Sequence, residues 1–280
     1  MTFARAAGIL AMTGAGLLLF LFLTLLFIPG DALLTAINRG IAQHGLKLDA
    51  ASFGKALPIG ISAKGISLSS DSGELVKIDR GRLTLEIMPL LLGRVSLAIK
   101  ADIGPGTVVA TLSLLRNPST SIDIKNVRLE DIPFFKTAAG MKAAGVLSAK
   151  AETAGKLANA KGFLQLQVQG VDLSGIKIGE MPLPDASYRT VQGMIRITEG
   201  KGSIESFTLQ GDDLYVRLKG ALPLMDPLPA TPLNLSLELM PKAALLERQK
   251  LVFLLLVKFQ DTPGHYQIPV KGTLGKPQVL

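Results

Sequence analysis

The chain has no cysteine and no tryptophan, only 5% aromatic residues, and two histidines among 280 residues. Without cysteine there are no disulfides and no thiolate metal sites. A domain exported without them must stand on its apolar core, which a chain of this size can supply. His44 and His265 lie far apart, and neither has a second histidine four residues away with a glutamate beside it, as a helical zinc site requires. Both read as surface residues. Also missing are a Gly-x-Ser-x-Gly elbow and a Walker-type phosphate loop. Two acid pairs are present, Glu130-Asp131 and Asp212-Asp213. Neighbours on a strand point to opposite faces, so such pairs do not converge on one substrate. Asp131 reads as a helix cap and Asp212-Asp213 as a solvated hairpin turn. No catalytic residue, metal ligand or cofactor site is expected, and the sequence favours a binding or structural role over catalysis.

Charge is missing altogether between Arg5 and Asp31. The centre of that stretch is Leu17, Leu18, Leu19, Phe20, Leu21, Phe22, Leu23, Leu25, Leu26, Phe27 and Ile28, closed by Pro29-Gly30. A bilayer core of about 30 Å needs roughly 20 apolar residues in a helix, so these residues are expected to form a membrane anchor. A cleaved signal peptide is the competing reading. It calls for a shorter apolar core and an Ala-x-Ala step, and Ile28-Pro29-Gly30-Asp31-Ala32 offers none. Arg5 precedes the stretch and Asp31 follows it, which places the N-terminus inside and the body outside. The expected organisation is a cytoplasmic tail (1–5), a transmembrane signal anchor (6–30), a linker helix (31–45) and an exported β-rich domain (46–280). The net charge of +8 could meet anionic headgroups or an acidic partner. No run of five basic residues occurs, so a solvated surface is preferred, and nucleic acid is not expected outside the cytoplasm.

What remains is largely alternation. Leu33, Leu34, Ile37 and Ile41 share one face of an expected helix over 32–44, packed on the domain because the polar face carries only Arg39 as a cation. From Leu46 the period becomes two: Ile59, Ile61 and Ala63; Leu83, Leu85 and Ile87; Val95, Leu97 and Ile99; Ile122 and Ile124; Leu214, Val216 and Leu218; Leu233, Leu235, Leu237 and Leu239; Ile268 and Val270. Such alternation, bounded by Gly, Pro and Asp, marks strands with one buried face. Pro89 argues against a central strand through Leu90-Leu91-Leu92. Residues 131–145 read as a helix. The light stretch 149–161 reads as a turn between sub-domains or as strands without bulk, leaving room for a break near 131–161. Gly145, Gly162, Gly193, Gly202, Gly220 and Gly272 each stand just before aliphatic residues and read as hairpin-turn glycines of an antiparallel meander. Leu251 to Val257 is too short to span a bilayer and reads as a helix on the sheet's end or face.

Three local patterns carry a family likeness. They are Leu129-Glu130-Asp131-Ile132-Pro133-Phe134, the glycine-led strand starts, and the tail from Tyr266-Gln267-Ile268-Pro269-Val270 to Gly275-Lys276-Pro277. With the anchor-plus-β layout they resemble the protein N family of the bacterial type II secretion system, within the wider AsmA-like envelope proteins. The resemblance implies an inner-membrane protein with its bulk in the periplasm. It implies an elongated, curved antiparallel sheet and an accessory or assembly role beside other secretion-system components. The wider group implies the alternative, a lipid-export-like protein that binds or carries lipid in a hydrophobic β groove. No catalytic residues come with the family.

Overall fold

The computed structural model describes residues 30–42, 45–57, 59–71, 73–115, 117–178, 180–225, 230–274 and 276–279. The expected anchor residues Leu17 to Ile28, and His44, lie outside them. Among the described residues no helix is long and apolar enough to cross a membrane.

Alternating apolar residues and polar turns build a chain of hairpins. The strands are β1 (Leu46–Ala56), β2 (Gly60–Ser70), β3 (Gly73–Leu85), β4 (Ser96–Ile103), β5 (Gly106–Ser113), β6 (Ser119–Arg128), β7 (Lys142–Ala154) and β8 (Lys161–Ser174). A small hairpin follows, β9 (Lys177–Ile178) and β10 (Met181–Pro182). Then come β11 (Ala186–Thr198), β12 (Lys201–Gly211), β13 (Leu214–Pro223), β14 (Leu235–Pro241), β15 (Gln260–Thr262), β16 (His265–Thr273) and β17 (Lys276–Val279). All but β9 and β10 join one large antiparallel sheet, in which each strand lies beside its neighbour in sequence apart from short insertions. Residues 131–161 do not interrupt it: β7 pairs with β6 on one side and β8 on the other.

Short helices decorate the sheet. They are α1 (Gly30–Ala42), α2 (Ile87–Leu91), α3 (Phe134–Thr137), α4 (Ala243–Arg248) and α5 (Lys250–Leu256). In α1, Leu34, Ile37, Asn38 and Ile41 are half-buried, at the spacing of one helical face. The Asn38 amide donates to Leu48 O and accepts from Leu48 N, both at 2.7 Å, so the side chain stands in for a strand partner on the outer edge of β1. The other edge is β16, whose outer side is covered by short pieces, β15 at Tyr266 and β17 from Val270. Short strands and prolines are common edge protections, and here Pro269 sits between the two pieces.

Most of the fully buried core lies in the second half. Leu214, Leu239 and Ile268 of the sheet meet Leu245 of α4 and Phe253 and Leu256 of α5. The α4–α5 pair crosses the end of the sheet, and Asp185 N donates to Gln249 Oε1 (3.0 Å), tying the β14–β15 connection to the β10–β11 connection. The β9–β10 hairpin reaches β17, so the sheet curls between β8 and its far edge.

Two expectations change. Residues 131–145 are not one helix: a 3₁₀ turn (Leu129–Asp131) and one turn of α3 precede β7. Gly140 takes a positive φ of 64° and closes the segment, and Asp131 bonds the Arg128 guanidinium (2.9 Å) instead of capping. The glycine-led starts are not turn glycines either. Gly162 lies inside β8, where a Cβ would stand 1.9 Å from Glu152 O, so glycine is needed for close strand approach.

Candidate functional site: the aliphatic face of the sheet

Register shows what alternation alone cannot. Directly opposed residues on adjacent strands share a face. One such row runs Ile61, Leu83, Ile99, Ala110, Ile122, Ala151, Leu164, Ile195, Ile204, Gly220, Leu235 and Val270, from β2 to β16. It crosses twelve strands without a polar side chain. At about 4.8 Å between strands the row is roughly 50 Å long. Ala110 and Val270 are buried and the other ten are half-buried; none is exposed.

A second row on the same face is lighter: Phe53, Ala63, Gly81, Ala101, Val108, Ile124, Ala149, Leu166, Gly193 and Phe207. Its small residues are spaces into which neighbours lean. A Cβ on Gly81 would stand 2.7 Å from Ile66 Cδ1, and one on Gly193 would stand 2.7 Å from the Phe207 ring. The bulk of one row thus packs into the gaps of the next. Tyr188, on this face in β11, is buried, and burial pushes its hydroxyl pKa upward, so it stays neutral.

The opposite face is polar. The row beside the first reads Ser62, Arg82, Lys100, Val109, Asp123, Lys150, Gln165 and Met194. Lys64 opposes Arg80, and Arg82 opposes Lys100, two like-charge pairs lining a shallow cleft of about 530 Å³ with Asp102. Further along, Arg196 pairs with Glu205, and their hydrogen bond holds the Glu205 carboxyl below its ordinary value. A cleft of about 820 Å³ near β14 and β16 is lined by Lys219, Ser236, Gln267 and Lys271. The polar face carries the charged side chains; the aliphatic rows have no group that could move a proton.

The residues singled out in the sequence do not converge. Asp212 pairs with Arg189 (3.0 Å) and Asp213 with Arg248, so this turn is ion-paired as well as solvated. His265 Nδ1 lies 2.6 Å from Asp261 Oδ1, and that bond chiefly lowers the Asp261 pKa. Among the described residues no three metal-ligating side chains gather. Sequence reasoning found the apolar positions but not their continuity, which depends on hairpin register across the whole sheet.

Fold and face together define a class: an antiparallel meander with one aliphatic and one polar side. No family model matches the chain, and neither a curated protein nor a solved structure is significantly similar to it.

Proposed function

We propose that the chain is a non-catalytic, membrane-anchored envelope protein that accommodates lipid acyl chains along its aliphatic sheet face. The uninterrupted apolar row from Ile61 to Val270 carries this reading. A face meant only for folding would be covered by a second layer along its length. Here α4 and α5 cover one end, and ten residues of the row stay half-buried. The row, at roughly 50 Å, is longer than the ~30 Å hydrocarbon core of a bilayer, so it exceeds the length of any single acyl chain. Each methylene moved from water onto it contributes about 0.8 kcal/mol. The uncharged stretch between Arg5 and Asp31 would be the chain's anchor, and the family resemblance implies an inner-membrane location and a periplasmic body. Native mass spectrometry of the full chain, extracted gently from its membranes, tests the reading. Added masses of phospholipid or lipopolysaccharide size that survive detergent exchange support it; a bare 29.6 kDa chain overturns it.

A second reading is an assembly role in a type II secretion system, as the sequence resemblance implies. The sheet ends at β1, where Asn38 blocks Leu48. Away from that block, the edge of β1 would be the place to recruit a strand from another component. Co-purification of other secretion components, and loss of secretion on deletion, support that role; unchanged secretion with no co-purifying component sinks it.

A further inference from the structure

We infer that the rim of the sheet formed by the turns after β1, β3 and β5 is a docking surface for a bilayer rich in anionic headgroups. This rests on the anchored reading above and adds to it which end of the body meets the membrane. In a meander every second turn falls at the same end. The first rim therefore gathers the turns after β1, β3, β5, β7, β11, β13 and β16. Backbone bonds knit them together: Leu85 N to Ile59 O (2.8 Å), Leu114 N to Val95 O (2.9 Å), Gly155 N to Pro118 O (2.8 Å), Gly200 N to Ala160 O (3.1 Å), Leu224 N to Gly200 O (2.7 Å) and Leu274 N to Thr231 O (2.8 Å). The rim is thus a connected surface built from adjoining turns.

Its outermost side chains are apolar. Leu57, Met88 and Leu92 are 74%, 75% and 73% exposed, and Leu91, Leu114 and Leu115 are exposed beside them. Exposed apolar side chains clustered on adjacent loops mark an interaction site. Arg94, Lys156 and Lys161 are exposed on the same and the adjoining turns, and Lys201 and Lys276 farther along the rim, against the acids Glu86 and Glu199 among the described residues. Leucines projecting from a basic surround suit a headgroup layer over hydrocarbon, with each Lys or Arg near an anionic surface worth about 1 kcal/mol. The opposite rim has exposed lysines as well, among them Lys242 and Lys250 beside α4 and α5, and its acids Asp131, Asp212 and Asp213 are paired with Arg128, Arg189 and Arg248. It also exposes Leu251 and Leu254 on α5, which makes it the rival surface.

The direction of α1 decides between the two rims. Asn38 reaches Leu48 while Gly45 N bonds Ala42 O, so α1 doubles back along β1. Its first residue, Gly30, is therefore directed toward the first rim, the side on which the proposed anchor, the uncharged stretch between Arg5 and Asp31, would join it. A bilayer holding that stretch would lie at the rim that carries Leu57, Met88 and Leu92.

The chain's lack of cysteine allows single-cysteine probes in the full-length protein. Leu57→Cys, Met88→Cys and Leu92→Cys, each carrying a polarity-sensitive fluorophore, would be reconstituted in vesicles of phosphatidylethanolamine and phosphatidylglycerol. Leu254→Cys on α5 reports the opposite rim. Expected are a blue shift and quenching by brominated lipid at the three first-rim sites, absent at Leu254. The shift should diminish when phosphatidylglycerol is replaced by phosphatidylcholine. Aqueous first-rim probes in a carbonate-resistant chain overturn the docking surface and leave the anchor standing. Apolar first-rim probes in a chain that carbonate releases overturn the anchor and keep the docking surface. First-rim probes shielded only by a cross-linked protein, or insertion at Leu254 alone, overturn the proposal.

Discussion

Gly106 shows how single residues keep the sheet together. A Cβ there would stand 2.5 Å from Val127 Cα and 2.6 Å from Asn126 O, where the neighbouring backbone cannot step aside. Gly106→Ala is expected to cost about 1–3 kcal/mol through overpacking, read as a lower urea midpoint. Arg82 behaves oppositely. It faces Lys100 directly, and like charges across a strand pair are unfavourable. Arg82→Glu should raise stability by about 0.5 kcal/mol, checked by the same unfolding curve and by loss of that gain in Arg82→Glu/Lys100→Glu. Glu205 carries a pH effect. Its folded pKa lies below the unfolded value because of Arg196, so its contribution is present above the ordinary carboxylate range and is lost as pH falls through the depressed folded value. Glu205→Gln should flatten that part of the acid limb in a stability-versus-pH series. At this scale the sequence was partly legible. Asp212 and Asp213, read as a solvated turn, take different partners, Arg189 and Arg248. The glycines were misassigned because a turn glycine and a close-approach glycine look alike in a string of letters, and only Glu152 O beside Gly162 tells them apart.

At the scale of elements, alternation located most strands but not where they stop. Helix α1 was legible because Leu34, Ile37 and Ile41 repeat at helical spacing. The segment after Asp131 reads as a longer helix because Pro133 suits a first turn and Phe134, Phe135, Ala138 and Met141 give an apolar face, yet Gly140 ends it and Ala143 turns inward on β7. Tertiary pairing decided the outcome there. Strand β17 was missed: Pro277 reads as a terminator, but it sits on an edge strand, where a missing N–H is tolerated. The Asn38–Leu48 pairing is the element-level contact most open to test. Asn38→Ala removes both bonds from a half-buried site and is expected to cost about 1–3 kcal/mol. Faster amide exchange at Leu48, with little change at Leu239 in the core, would check it. Equal acceleration at both would mean that α1 supports the whole sheet rather than one edge.

At the scale of the whole molecule, two faces of one sheet have been given opposite chemistries. The sequence shows apolar positions in every strand, but a strand's register to its neighbour depends on turn geometry. One slipped hairpin would break the row between Ile61 and Val270 by turning a strand's side chains over. That is why apolar strand positions were legible in the sequence and their continuous row was not. The aliphatic face is expected to hold acyl chains. A phospholipid with a photoactivatable group at the end of its acyl chain, incorporated in the native membrane with the full-length protein, tests this most directly. Peptide mapping should place cross-links on the aliphatic rows, at residues such as Ile99, Ile122 and Leu164, and not on the polar row of Lys100, Lys150 and Gln165. Cross-links confined to the stretch between Arg5 and Asp31, with none on the sheet, would contradict it.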